Sequence, residues 1–289
     1  MRQEQAKLIH LPELNRLAYL QAEYLHQTFS RHTHEGFCIG VIDDGAQQFY
    51  RTGSEHIAPK GDIIIVNADE VHTGSSAVES GWAYQAIYPT PEYLQTLTRD
   101  LQQEQGATPW FPDAVIHDPG LSQQLLLLFS LLRQPNNYLL KESLLLSTMA
   151  MLILRYSKTR TQAKPLSVIG QRLQWISELM NDTPENEFSL NTLAEMVNLS
   201  PWHFLRQFKK EIGMTPHAWL IQARIRKARQ LLSLGHTLTD VTQRCGFSDQ
   251  SHFHRHFKNT IGVTPGNYLK VLQWPSSLKS PLTVIKKTK

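Results

Sequence analysis

Residues 193–216 read LAEMVNLSPWHFLRQFKKEIGMTP, and residues 241–265 read VTQRCGFSDQSHFHRHFKNTIGVTP. These are one pattern written twice. Leu193, Val197, Leu199 and Ser200 return as Val241, Cys245, Phe247 and Ser248 at an offset of 48. Phe204, Arg206, Phe208, Lys209, Gly213, Thr215 and Pro216 return as Phe253, Arg255, Phe257, Lys258, Gly262, Thr264 and Pro265 at an offset of 49. The second copy therefore carries one extra residue in its turn. Each copy reads as helix–turn–helix. Ser189 caps a short helix with an apolar stripe of Leu190, Leu193, Ala194 and Val197, and the turn is Asn198-Leu199-Ser200. Ser200 caps a second helix, Pro201 suits its first position, and Gly213 ends it. In the second copy Gly246 permits the sharp turn and Ser248 or Asp249 caps the helix that bears Phe253, Phe257 and Ile261.

Between the copies, HAWLIQARIRKARQLLSLG predicts a partly buried helix from about Pro216 to Leu234, stopped by Gly235. Its length of roughly 26 Å holds the two units apart. Two reading helices about 34 Å apart enter successive major grooves on one face of B-DNA. The residues expected to face DNA are Trp202, His203, Leu205 and Arg206 in the first copy, and Gln250, Ser251, His254 and Arg255 in the second. Arginine bonds a guanine edge in bidentate fashion, and glutamine does so for adenine. Lys209 and Lys258 suit phosphates. The competing reading leaves the two arginines as solvated surface and the phenylalanines as core.

Charge agrees with that division. Residues 1–166 hold 13 Lys+Arg against 17 Asp+Glu, residues 167–273 hold 12 against 8, and residues 274–289 hold four lysines and no acid. A basic C-terminal part points to an anionic polymer. At 289 residues two domains are expected, and 41% hydrophobic with 19% charged residues rules out wholesale disorder. Two cysteines, Cys38 and Cys245, make neither a disulfide framework nor a four-cysteine zinc site. No apolar run reaches the roughly 18–20 residues that span a bilayer, and residues 1–10 lack the core of a secretion signal. A cytoplasmic protein with no membrane partner is expected.

Residues 167–273 resemble the DNA-binding domain of the AraC/XylS family of bacterial transcription regulators. Gly246-Phe247-Ser248, His252 through Lys258, and Gly262 through Tyr268 carry the resemblance. It implies seven helices, two helix-turn-helix units on a rigid linker helix, and action at promoters, often touching RNA polymerase. Thr242 and Leu269-Lys270 depart from the family pattern without disturbing the fold. His252, His254 and His256 cluster at i, i+2, i+4, where capping or phosphate contact competes with metal binding.

Residues 31–90 read as short strands with turns: FCIGVI (37–42) before Asp43-Asp44-Gly45, a hairpin turn signal, then QQFY, IIIV and the alternating Trp82–Tyr88. His32-Thr33-His34, Gly40, Gly45, Gly61-Asp62 and the run Asn67–His72 resemble the cupin-like sensor domain found upstream of this DNA-binding domain. Metal-binding cupins place a glutamate several residues past His-x-His. Here those positions are Cys38, Ile39 and Gly40. The expectation is therefore a polar effector pocket with His32, His34, Phe37, His72, Trp82 and Tyr84 on its walls, and no metal, cofactor or catalytic residue. A three-histidine ion site with open positions, as in a metal-dependent cupin enzyme, is the competing reading. Trp82 and Tyr84 also fit plain barrel core.

Residues 121–157 predict two helices apolar around much of their circumference, with Leu125, Leu128, Phe129 and Leu132 on the first and Leu140, Leu144, Ser147, Met151 and Leu154 on the second. By resemblance this hairpin makes a homodimer. The expected architecture is α+β multidomain. An effector-binding and dimerisation domain covers 1–157, a β-barrel or jelly roll with its helical hairpin. A linker covers 158–166, the all-α tandem helix-turn-helix domain 167–273, and a flexible basic tail 274–289. The expected function is sequence-specific binding of double-stranded DNA, controlled by a small-molecule effector.

Overall fold

The computed structural model describes residues 4–14, 17–102, 108–134, 138–158 and 167–272. The expected tail and nearly all of the expected linker lie outside the described residues. Nine strands form the N-terminal part: β1 (Gln5–Leu11), β2 (Leu17–Tyr24), β3 (Phe29–His32), β4 (Cys38–Arg51), β5 (Ser54–Pro59), β6 (Ile63–Val66), β7 (His72–Ser76), β8 (Trp82–Tyr88) and β9 (Val115–Ile116). The strand order is β1-β2-β8-β4-β6-β9, while β4 also pairs with β5 and β7, and β7 pairs with β3. Residues 5–24 are thus two full strands of the sheet.

β4 holds the two layers together. Its first half, Cys38–Val41, pairs with β6, and its second half, Ala46–Arg51, pairs with β5. The expected hairpin turn at Asp43-Asp44-Gly45 is not a turn. The strand runs straight through it, with a register shift between Ile42 and Asp44 against β8. Gly45 sits at φ +67°, and a Cβ there would lie 2.0 Å from the Gly81 carbonyl oxygen. Turn and bulge ask for the same residue. Here the bulge falls at Asp43, between Ile42 and Asp44, and Gly45 at positive φ follows it where one long strand bends from one layer into the other. The reversal comes at Thr52 and Gly53, both at positive φ.

Strand parity sorts the side chains into two cores. Phe37, Ile39 and Val41 join Ile63, Ile65 and Ile87 under the helices, in one cluster with Leu121, Leu125, Leu128 and Phe129. Cys38, Ile42, Ile64, Val66, Tyr84 and Ala86 face the barrel interior. α1 (Pro91–Gln102), α2 (Pro119–Leu132) and α3 (Tyr138–Tyr156) cover the outer face. In α2 the expected stripe is buried. In α3 the expected stripe is not the buried one. Lys141, Leu145, Thr148, Met149, Leu152 and Ile153 face inward, while Leu140 and Leu154 stay exposed. The helix is apolar on both sides, so periodicity alone does not choose the inner one.

Seven helices follow: α4 (Val168–Asp182), α5 (Leu190–Met196), α6 (Pro201–Ile212), α7 (Pro216–Ser233), α8 (Leu238–Arg244), α9 (Gln250–Ile261) and α10 (Pro265–Leu272). The caps fall where the sequence puts them. Ser189, Ser200 and Asp249 accept from the backbone N–H groups of Thr192, His203 and His252. Gly213 and Gly262 close α6 and α9 in the left-handed conformation. Asn198 at φ +56° and Gly246 at φ +73° make the two turns.

Candidate effector cavity and DNA-reading helices

α5–α6 and α8–α9 are the two helix-turn-helix units, and α7 joins them. On α6, Trp202, His203, Leu205, Arg206 and Lys209 are all exposed, while Phe204 and Phe208 are buried. The Arg206 guanidinium lies 5.5 Å from the Trp202 ring. On α9, Gln250, Ser251, Arg255 and Lys258 are exposed. Trp202, with 61% of its surface free, is a large apolar side chain that lies outside the buried cores. His254 departs from the expectation. It is half-buried, and its Nε2 is buried without a hydrogen-bond partner. It sits seven residues before Ile261, two helical turns along the face that meets the barrel.

The barrel mouth is where the two parts meet. A cavity with about 490 Å³ of empty space, its opening to solvent included, is bounded by both. Its polar groups include His32, His34, His72, Thr73, Gln47, Tyr84 and Tyr88, and Thr260 and Ile261 of α9 border it. Tyr84 and the three histidines thus stand where the sequence reading puts them. Phe37 does not: it packs on Phe111, with ring centroids 5.9 Å apart, on the opposite face of the sheet. Trp82 is buried in the interior cluster but lines a separate cleft with Glu4 and Tyr24. The sequence reading missed Tyr88, although it shares the parity of Tyr84 on β8. It also missed Thr260 and Ile261, whose place depends on docking between distant segments.

Local hydrogen bonds orient the histidines. The Nδ1 of His32 lies 2.7 Å from the Ser30 carbonyl oxygen, and that of His72 lies 2.9 Å from the Glu70 carbonyl oxygen. A carbonyl only accepts, so each Nδ1 carries the proton and each Nε2 keeps its lone pair. The Glu70 carboxylate is itself held by the buried Arg51 guanidinium at 2.6 Å and the Asn67 amide at 2.9 Å. That knot fixes the loop that delivers His72, with Asp69 at φ +57°. Ring centroids of His32 and His72 are 4.1 Å apart, and His34 lies 4.8 and 4.9 Å from them. Burial pushes His32 down to about 4. Burial first, and then the neighbouring His32 imidazole, holds His34 and His72 well below the ordinary histidine range. All three are neutral at pH 7.

Both reading helices end on the barrel. Arg31 of β3 donates to the Gly213 carbonyl oxygen at 2.8 Å, and Val71 lies beneath that glycine. The Tyr24 hydroxyl donates to the Gly262 carbonyl oxygen at 3.4 Å, with Phe29 alongside. From α7, Arg226 lies 3.8 Å from Asp69 and Arg229 lies 3.7 Å from Glu35.

A barrel-mouth cavity, bounded also by the second of two helix-turn-helix reading helices, marks a sensor joined to a tandem helix-turn-helix reader. The comparisons agree. Residues 16–149 match the AraC-like ligand binding domain, and residues 193–270 match a helix-turn-helix domain model. The chain belongs to the AraC family of transcription regulators, and these are not enzymes. It is 28% identical over 241 residues to the uncharacterised HTH-type transcriptional regulator YbfI of Bacillus subtilis, covering 83% of this chain and 86% of that one. It is 24% identical over 246 residues to the HTH-type transcriptional activator RhaS of Escherichia coli, covering 82% and 86%. In fold it is similar to ToxT of Vibrio cholerae solved with an unsaturated fatty acid bound, with a TM-score of 0.55, 12% identity, and 94% and 98% of the two chains covered. No described helix is long and apolar enough to cross a membrane.

Proposed function

We propose that this regulator reads a promoter or operator with α6 and α9 while a small metabolite occupies the cavity at the barrel mouth. One observation carries the reading: the cavity wall is shared between β-strands of the sensor and the C-terminal turn of α9. A ligand there touches the reader directly, so its affinity differs between docked and undocked arrangements. That difference is what shifts an equilibrium. The walls are largely apolar, with Leu20, Phe29, Phe49, Ile64 and Val66 around a few hydroxyl, amide and imidazole groups. They suit a compact molecule with an apolar body and one or two oxygen groups.

Arg206, Arg255 and Gln250 are assigned to base edges, Trp202 and Leu205 to thymine methyls, His203 and Ser251 to either, and Lys209 and Lys258 to phosphates. His254 is assigned to the seam with the barrel instead. The chain works as a homodimer through α2 and α3, supported by exposed Leu127, Leu139, Leu146 and Leu154 on that hairpin. Work in the cytoplasm and contact with RNA polymerase follow from the family resemblance.

The test starts with the purified full chain, which selects its operator from genomic fragments. A metabolite library is then screened by thermal shift. A compound that raises the melting temperature is expected to change operator affinity between about 5- and 150-fold. Stabilising compounds that contact the cavity yet leave that affinity unchanged would refute the reading.

A further inference from the structure

We propose that His252 and His256 of α9 form a two-histidine site for a divalent transition-metal ion of the zinc, nickel and copper class, and that the bound ion strengthens the binding of α9 to DNA. The site stands on the geometry of the helix. Its effect on DNA rests on α9 being a reading helix.

Four residues along a helix bring two side chains onto one face, one above the other. Here the two Nε2 atoms lie 2.9 Å apart, and the ring centroids lie 4.5 Å apart at 86°. A metal 2.0–2.1 Å from each nitrogen, with its two bonds at about a right angle, needs donors about 2.9 Å apart. The pair therefore has the bite of a chelate before any ion arrives. Two histidines at this spacing on one helix are a recurrent zinc-binding arrangement.

The rings are also held in place. Phe247, buried in the turn before α9, packs against both, with centroids 5.7 Å from His252 and 6.4 Å from His256. The Nδ1 of His252 turns toward the Ser248 hydroxyl at 3.5 Å, which leaves its Nε2 to face His256. Fixing one ring nitrogen is how a protein aims the other at a metal. Both side chains are half-buried, so water completes the coordination sphere from the open side. His254 takes no part, because it lies on the barrel side of the helix with its Nε2 buried. Two imidazoles suit zinc, nickel or copper over magnesium and calcium, which prefer oxygen ligands.

Arg255 is exposed and stands three residues from His252, a neighbour on the helix surface. An ion on the pair adds two positive charges beside it. At about 10 Å from a phosphate, with screening over a Debye length of about 10 Å, those charges strengthen binding about twofold per phosphate.

Zinc and nickel are the probes, added to the full chain after treatment with a chelator. Carbethoxylation of histidines by diethyl pyrocarbonate, mapped by tandem mass spectrometry, locates the site without any variant. Either ion is expected to slow modification of His252 and His256 together and to leave exposed His203 unchanged. Calorimetric titration is expected to show one ion fewer per chain in His252→Gln and in His256→Gln, and no further loss in the double variant. Circular dichroism of the metal-free variants checks their folding. Saturating zinc is expected to tighten binding to a duplex of arbitrary sequence at least about twofold in the wild type, a gain missing from His256→Gln. Ion uptake equal in wild type and both variants, or no protection of His252 and His256, reduces the pair to an N–H···N hydrogen bond and overturns the site. Uptake with no gain in duplex affinity overturns the effect on DNA. A flat salt dependence takes α9 off the DNA and leaves the metal titration untouched, so the regulator reading and the site fail separately.

Discussion

The exposed cations of the two reading helices set a salt dependence that needs no knowledge of the operator. α6 and α9 expose five of them: Arg206, Lys209, Lys210, Arg255 and Lys258. Each phosphate neutralised releases counterions and contributes about −0.9 to the slope of log affinity against log salt. On a duplex without the operator the two arginines, freed from base edges, meet phosphates as well, so five contacts give about −4.5 and raising salt from 50 to 200 mM weakens binding about 500-fold. Replacing Lys209 and Lys258 together with alanine removes two contacts. The slope becomes about −2.7 and the same salt step costs about 40-fold. Cations elsewhere, including the four lysines after residue 273, add to both slopes and cancel in the difference. The assay is fluorescence anisotropy with a duplex of arbitrary sequence, because the phosphate contribution is blind to sequence. A double variant whose slope matches wild type within about half a unit would take both lysines off the DNA-facing surface, and with them the assignment of that face.

On the selected operator, Arg206→Ala and Arg255→Ala are each expected to cost about 1–3 kcal/mol in specific binding and to relax specificity at one position. Gel shifts that show wild-type affinity in both would sink the base-reading assignment. Gly246→Ala places a Cβ 2.6 Å from the Glu185 carbonyl oxygen at φ +73°. The left-handed backbone alone costs about 1–2 kcal/mol, so an unchanged thermal melt would contradict the turn geometry. Leu139→Glu with Leu154→Glu is expected to give monomers by sedimentation, and persistent dimers would move the interface elsewhere. Asp118 caps α2 by accepting from the Leu121 N–H, and it also takes the Tyr156 hydroxyl and Arg155. These bonds hold its carboxyl below the usual aspartate range, the Leu121 N–H foremost. Asp118→Ala should therefore cost about 1 kcal/mol at neutral pH. The gap to wild type should close as pH falls through the depressed folded value, because protonation removes the same stabilisation. Urea melts in which that gap widens on acidification would reverse the sign of the argument.

The reader half was legible because its constraints are local. Caps at Ser189 and Ser200, the stop at Gly213 and the phenylalanines four apart are all written in the single stretch Ser189–Gly213. The sensor half was legible only as far as parity carries. Phe37 fell on the wrong face because its strand register was left unread: it alternates with Cys38, and the odd positions Ile39 and Val41 face the helices. Asp43-Asp44-Gly45 looked like a hairpin because a bulge and a turn both need glycine at positive φ. Only the length of β8, which pairs on both sides of it, decides between them. Thr260 and Ile261 had no local signal at all. Ile261 reads as an ordinary core position of its own helix. Its role on the cavity wall arises from docking against strands of the distant N-terminal barrel.

That docking is unequal for the two readers, and the inequality has a consequence for control. The second unit shares one continuous apolar cluster with the barrel interior: Tyr24, Phe29 and Tyr84 stand in the same cluster as Phe253, Phe257 and Val263. The first unit keeps a core of its own, with Leu173, Ile176, Phe204, Phe208 and Leu220. It meets the barrel through Arg31 on Gly213, Val71 beneath that glycine, and the ion pair of Arg226 with Asp69. Polar links of this kind weaken with salt, whereas shared apolar burial does not. On the proposed reading, α6 is expected to leave the barrel before α9, and an effector in the cavity is expected to restrain α9. Limited proteolysis or hydrogen exchange that opens α9 before α6 would refute that order.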